Sequence, residues 1–283
     1  LIEQDKVFAL FNYVGTPTSK AILPYIEQNK AIYFSPFTGA EFLRKPYRRE
    51  FFNIRASYYD EAETQVKYFI DHLALDNATL FIQADDFGLA ASKGYIKALA
   101  KRNITDVEQV RYKRNTIDVE KATNRLIQLA PEVIFCVGTY EPIAKLVSNL
   151  RHANINSKIV TLSFAGAESL KARLNKAKEV YITSVMPDPN HSNLAIVKSY
   201  RKAMNHKNLS HESLEGYLNA AVLTQIIEQI SGDVTKEKFM KTAEKIQIEV
   251  GGIRLSFSPN NHQGLKKSYL NKITSEGFTQ VFF

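Results

Sequence analysis

The chain has 283 residues, 45% hydrophobic and 23% charged, with a net charge of +8 and a pI near 9.3. That length allows two domains of ordinary size, and the composition is that of a water-soluble globular protein with no apolar run long enough to span a bilayer. The basic balance raises nucleic acid as a partner, but Lys93, Lys97, Lys101, Lys121, Arg125, Lys171, Arg173 and Lys176 are spread along several segments. No basic block is interleaved with stacking aromatics and no helix-turn-helix or RNP signature appears, so no nucleic-acid partner is expected. The charge instead favours anionic ligands or membrane surfaces.

In chain order the pattern alternates strand and helix. Residues 7–11, VFALF, form a continuous apolar strand, and TSKAILPYIEQN over 18–29 reads as a helix. Residues 31–35 are the next strand. Over 60–74, Ala62, Val66, Phe69, Ile70 and Leu73 share one helical face. Strand 79–83 is followed by a helix through Tyr95 and Leu99, and 107–112 alternates like a strand nearer a sheet edge. Helix 119–130, strand 132–138, helix 142–153 with Pro142 in its first turn, strand 158–163, helix 168–175 and strand 179–185 complete the run. Buried apolar strands separated by amphipathic helices predict α/β architecture with parallel, doubly wound sheets covered on both faces. From residue 187 the texture changes: the turn-rich PDPNHSN precedes helices over 194–204, 212–230 and 235–245, then short strands and turns. Cys136 lies inside the apolar stretch EVIFCV and reads as an inert core thiol, with no second cysteine to pair with.

The stretch NYVGTPTS at 12–19 places a glycine turn and three hydroxyl side chains between a strand and a helix. Such a turn cradles an anion or a polar head group, because the helix N-terminus adds N–H groups and a favourable dipole. Thr18 or Ser19 serves either as a helix cap alone or, with Thr16, as cap plus ligand contact. SPFTGA at 35–40 follows the next strand and reaches the same rim, where parallel sheets bind ligands.

The ordered set VFALFNYVGTPTS, AIYFSPFTGAEFLR, FFNIRASYYDEAETQVKYF, LFIQADDFGLA, VGTYEP, VTLSFAGA, SLEGYLNAAVL and GGIRLSFSPNNHQG resembles the branched-chain amino acid (Leu/Ile/Val) binding family of type 1 periplasmic binding proteins. The resemblance implies two α/β lobes that close on a small solute through a three-segment hinge. Lobe one is expected over 1–58 and 186–250, and lobe two over 59–185 and 251–283. The last crossing is expected near Gly251 and Gly252, where glycine suits unusual φ and ψ. Family members carry two further βα units ahead of the opening strand. At about 30 residues per unit, the resemblance implies that about 60 residues of the pattern are missing and that lobe one is incomplete.

The same resemblance assigns site residues. Thr16 is expected to hold a ligand carboxylate, with Thr18 beside it, and Phe37, Thr38 and Gly39 to meet the polar head. Gly39 departs from a hydroxyl residue, for which Thr38 can substitute. Phe87 and Tyr140 are expected to close rings on the ligand, or simply to pack in the core. Phe164 and Ala165 stand where amino-acid binders place an acid for the ammonium group, and Glu168 is nearby. The missing acid shifts the expectation from branched-chain amino acids to an aromatic or apolar carboxylate or amide.

Other motifs point away from catalysis. DDFG at 85–88 lacks every accompanying kinase element, and GTPTSK fails the Walker spacing. The six histidines form no metal-spaced cluster, and no G-x-S-x-G elbow exists. Glu215 reads as a helix polar or hinge-side contact rather than a general base. No enzyme activity and no cofactor or metal is expected. The leading reading is the periplasmic or extracytoplasmic binding protein of an ABC importer, with a membrane permease as partner. The alternative is the ligand-sensing domain of a signalling receptor such as a histidine kinase.

Overall fold

A computed structural model describes residues 1–174 and 178–283. Lys176, and Asn175 at the end of the helix expected over 168–175, lie outside the described residues. The elements run β1 (Ala9–Phe11), α1 (Thr16–Asn29), β2 (Ile32–Phe34), β3 (Phe51–Phe52), α2 (Tyr58–Val66), β4 (Ala78–Gln83), α3 (Asp86–Ala100) and β5 (Gln109–Tyr112). They continue α4 (Glu120–Leu129), β6 (Val133–Val137), α5 (Tyr140–His152), β7 (Lys158–Thr161), α6 (Ala167–Arg173) and β8 (Val180–Ser184). The rest are α7 (Ala195–Ala203), α8 (His211–Glu228), α9 (Lys236–Lys245), β9 (Gln247–Val250), β10 (Ile253–Ser256), β11 (Tyr269–Ile273) and β12 (Phe278–Val281).

The chain divides into two compact units, Leu1–Ser57 with Met186–Lys267, and Tyr58–Val185 with Ser268–Phe283. Residues 251–267, expected in the second lobe, therefore belong to the first unit. Three contacts hold them there. β9 and β10 pair as an antiparallel hairpin, the Asn53 N–H donates to the His262 carbonyl at 2.9 Å, and the His262 ring stacks on Phe52 at 3.9 Å. Gly251 and Gly252 have φ of +51° and +93° and form the two-residue turn of that hairpin, not a crossing between units.

In the first unit β1, β2 and β3 form a parallel sheet. Its core gathers Leu10, Ile26, Tyr33, Leu43 and Phe51, and the Ser19 and Tyr33 hydroxyls meet at 2.7 Å inside it. α8 is capped by the Ser210 hydroxyl, which accepts from the Ser213 N–H, and α9 by Thr235, which accepts from Lys238.

The second unit is built on a sheet of order β5-β4-β6-β7-β8-β11-β12. Every residue of β4, β6 and β8 is buried, as continuous apolar strands in the middle of a covered parallel sheet must be. β5 closes one edge, as its alternating sequence predicts. β5 to β8 are parallel, but β11 runs antiparallel to both β8 and β12. The sheet is therefore mixed rather than wholly parallel. The turn at Thr274–Gly277 joins β11 to β12 too tightly for anything but an antiparallel pair. α2 also departs from a regular helix and continues as a π-helical segment, Lys67–His72. Cys136 is fully buried, and burial pushes its thiol pKa up, so it is the inert core residue expected.

Candidate functional site

In the first unit the loops after β1 and β2 are tied by backbone bonds that continue the sheet beyond its strands. The Gly15 N–H donates to the Phe37 carbonyl at 3.2 Å, and the Phe37 N–H to the Tyr13 carbonyl at 3.0 Å. Gly15 sits at φ +102°, and a Cβ there would lie 2.8 Å from the Thr18 hydroxyl. This turn makes Thr16 the first residue of α1, two positions earlier than the sequence suggests. Thr16 and Thr38 are brought together, both fully buried, with their hydroxyl oxygens 2.7 Å apart. Thr38 Oγ1 also accepts from the Ala40 N–H at 3.3 Å. Buried Gly39, without a side chain, lies between the two ends of that last bond.

Thr18 is not part of this pair. It is exposed, and its hydroxyl donates back to the carbonyls of Val14 and Gly15. Ser19 likewise donates to the Gly15 carbonyl at 2.6 Å. Gly15 is the cap residue of α1, so neither Thr18 nor Ser19 is its N-cap.

Phe37 is half-buried, and the Arg55 guanidinium lies 4.6 Å from its ring centre. Arg55 is buried, and its Nε stands 3.6 Å from Glu215 Oε1 of α8, itself buried. The Arg55 carbonyl accepts from Arg44 Nη2 at 3.1 Å and from Gln263 Nε2 at 2.8 Å. Glu215 is thus a charge partner inside this unit, as a helix polar contact should be.

In the second unit the candidate residues follow the carboxyl ends of β4, β6 and β7. The strand order β5-β4-β6 reverses direction at β4, where ligands bind in open α/β sheets. Asp85 caps α3, with Oδ1 accepting from the N–H groups of Phe87 and Gly88 at 3.0 and 3.1 Å. The acidic side of DDFG is therefore occupied by a helix cap. The Phe87 and Phe164 rings meet at 4.7 Å and 52°, with Tyr58 on the other side of Phe87 at 5.4 Å. Phe87 is nearly wholly buried, Phe164 half-buried, and Ala165 buried in the short 3₁₀ turn Ser163–Ala165. Tyr140, the first residue of α5, packs on the core under the Arg173 guanidinium at 5.3 Å. Glu168 lies in the first turn of α6.

Two residues here escape sequence reasoning. Fully buried Glu61 accepts from the Ser163 N–H at 2.8 Å, the Ser163 hydroxyl at 2.9 Å and the Thr183 hydroxyl at 2.5 Å. It fixes the loop that carries Phe164. Gln65, one helical turn on, donates to the Thr161 carbonyl at 2.8 Å and accepts from Tyr95 at 2.6 Å. The available signal was two polar residues on the same face of α2 as Ala62 and Val66.

In both units the candidate residues lie in loops at the carboxyl ends of parallel strands, where open α/β sheets bind ligands. A family model described as "Periplasmic binding protein" matches residues 1–277, and the chain belongs to that family. A crystal structure from Rhodopirellula baltica, described as a possible leucine/isoleucine/valine-binding protein, is 31% identical with a TM-score of 0.93, covering 100% of this chain and 79% of that one. A leucine-binding protein from Thermotoga maritima shares the fold at 18% identity and TM-score 0.85, over 99% of this chain and 81% of its own. So does a fatty acid ABC transporter substrate-binding protein from Thermomonospora curvata, at 18% identity and TM-score 0.85, over 97% and 74%. No curated protein matches the chain.

Proposed function

We propose that the protein is the extracytoplasmic solute-binding component of an ABC importer, taking up a small carboxylate- or amide-bearing solute with an aromatic or apolar body. The observation that carries this reading is the buried hydroxyl pair Thr16–Thr38 at the ends of two parallel strands, at the N-terminus of α1. Hydroxyls and helix N–H groups satisfy a carboxylate without reacting with it. In this reading the second unit supplies Phe87 and Phe164 to the apolar part of the solute, and the units close on it by hinge motion. Leucine, valine and fatty acids, the solutes named for the structural neighbours, all carry a carboxylate, which supports the head-group assignment. The loop at Phe164-Ala165 offers no acid for an ammonium group, and Glu61 behind it is engaged by Ser163 and Thr183. Burying an unpaired charge is costly, which favours acids and amides over amino acids.

The test is a thermal-shift panel of benzoates, aliphatic acids, their amides and free amino acids, repeated with Thr16→Ala. Stabilisation follows occupancy. Losing a hydrogen bond to a charged head should weaken binding about 10-fold or more. Selective stabilisation by leucine, isoleucine or valine overturns the solute class, and unchanged affinity in Thr16→Ala overturns the cradle.

A further inference from the structure

A second concavity lies within the second unit, beginning beside Tyr140 at the first turn of α5. It has a volume of about 630 Å³ and runs along the outer side of α5, with Ile117 on one flank and the end of α6 on the other. That volume falls in the range of small-molecule sites. The residues α5 gives it are Glu141, Ala144, Lys145, Ser148 and His152, a stripe at helical spacing, with Val147 and Arg151 beside it.

Its electrostatics are one-sided. Glu141 is the sole carboxylate among the described lining residues, and Arg173 holds it at 2.8 Å. Lys145 is exposed and pairs with no carboxylate among the described residues. Arg151 gives its terminal nitrogens to the carbonyls of Ile155, Ser157 and Lys178, which are neutral acceptors, so contact does not cancel its charge. The nearest countercharge acting on it, Glu179, is itself bound by Lys158 and Lys272 at 2.6 Å. Among the described lining residues Lys145, Arg151 and Arg173 thus outnumber the one carboxylate, which Arg173 pairs.

The lining is also apolar. Ile117 is 57% exposed, an unusual position for an isoleucine, and Leu174, Ala144 and Val147 continue that surface. An inorganic anion makes no use of such a wall, and a neutral hydrocarbon makes no use of the cations. The imidazole of His152 is the one ring among the described lining residues.

We propose that this groove is a second binding site, for a short-chain amphipathic anion whose acidic head meets Lys145 and Arg173 and whose alkyl chain lies on Ile117 and Leu174. Octanoate titrated into the isotope-labelled full chain, followed by amide NMR, should shift residues of 141–152 and 173–174. Lys145→Glu and Ile117→Ser both change exposed side chains and leave the fold intact. Lys145→Glu should weaken octanoate about fivefold, the upper range for one exposed ion pair, and Ile117→Ser should weaken it by a similar factor of about five through lost apolar contact. Added salt should weaken binding as well. Octanol and octyltrimethylammonium should bind more weakly than octanoate. The proposal is overturned if shifts do not map to α5, if Lys145→Glu binds octanoate as tightly as the parent, or if the ammonium compound binds equally well. Because these shifts lie apart from Thr16 and Thr38, a failure here is distinct from a failure of the cradle.

Discussion

Removing the carboxylate of Glu61 should loosen the loop that carries Phe164. Three donors converge on this fully buried group: the Ser163 N–H, the Ser163 hydroxyl and the Thr183 hydroxyl, at 2.8, 2.9 and 2.5 Å. Hydrogen bonds to a charged acceptor contribute about 1.5–3 kcal/mol each, and an orphaned buried donor costs about 1–3 kcal/mol. Glu61→Gln keeps one carbonyl oxygen for the Ser163 N–H and Thr183, and its amide can donate to the Ser163 hydroxyl. It loses only the charge assistance, and a cost of about 2 kcal/mol is expected. Glu61→Leu leaves all three donors without this acceptor and should cost about 4 kcal/mol or more. At roughly 2–4 °C per kcal/mol, calorimetry should show a fall of about 4–8 °C for Gln and at least about 8 °C for Leu. Equal melting temperatures for Glu61→Leu and the parent refute the view that this carboxylate anchors the loop. Equal losses for Gln and Leu refute the division into charge and geometry.

Other outcomes follow from single contacts. Burial holds the His262 pKa below its ordinary value, although Glu244 and the Phe51 carbonyl act to raise it. The unfolded chain then binds the extra proton more readily, so stability should fall as pH drops below about 6.5, and His262→Gln should flatten that slope in denaturant titrations. Burial would raise the Glu179 pKa, but hydrogen bonds from Lys158, Lys272 and Tyr181 outweigh it and hold the group at about 2. Its contribution is present above the unfolded carboxyl value and is lost as pH falls toward 2, and Glu179→Gln should remove that part of acid unfolding. A Cβ at Gly88 would lie 1.8 Å from the Gln83 carbonyl oxygen, so Gly88→Ala should destabilise by about 3 kcal/mol, read in the same titrations.

The sheet of the second unit was largely legible because its central strands carry short apolar runs and its helices carry one apolar face. β5 betrayed its edge position by alternating. The Gly251-Gly252 pair was misread because positive φ serves a hinge and a hairpin turn alike. The alternating residues on either side of it, QIEV and IRLS, were the discriminating signal. β11 and β12 were not legible as an antiparallel extension, since their partner β8 lies far away in sequence. The meeting of Thr16 and Thr38 was legible in part, since both follow strands that reach one rim, while their assignment to a ligand head came from the family resemblance. That Thr18 turns away depends on where α1 begins, and that boundary is set by the φ of Gly15, which sequence does not display. Arg55 and Glu61 act through tertiary partners, and no local pattern marks those.

The return of the chain to complete the second sheet sets an order on biosynthesis. Asn271 of β11 bonds Ser184 of β8 across 87 positions, and the whole of the first unit's second segment lies between them. On the ribosome the five parallel strands emerge and can pair while β8 still presents a bare edge. That edge stays open until β11 leaves the exit tunnel. During this interval it is a template for strands of other nascent chains. A chain stalled before β11 should be captured by holdase chaperones, and emergence of β11 should end that dependence.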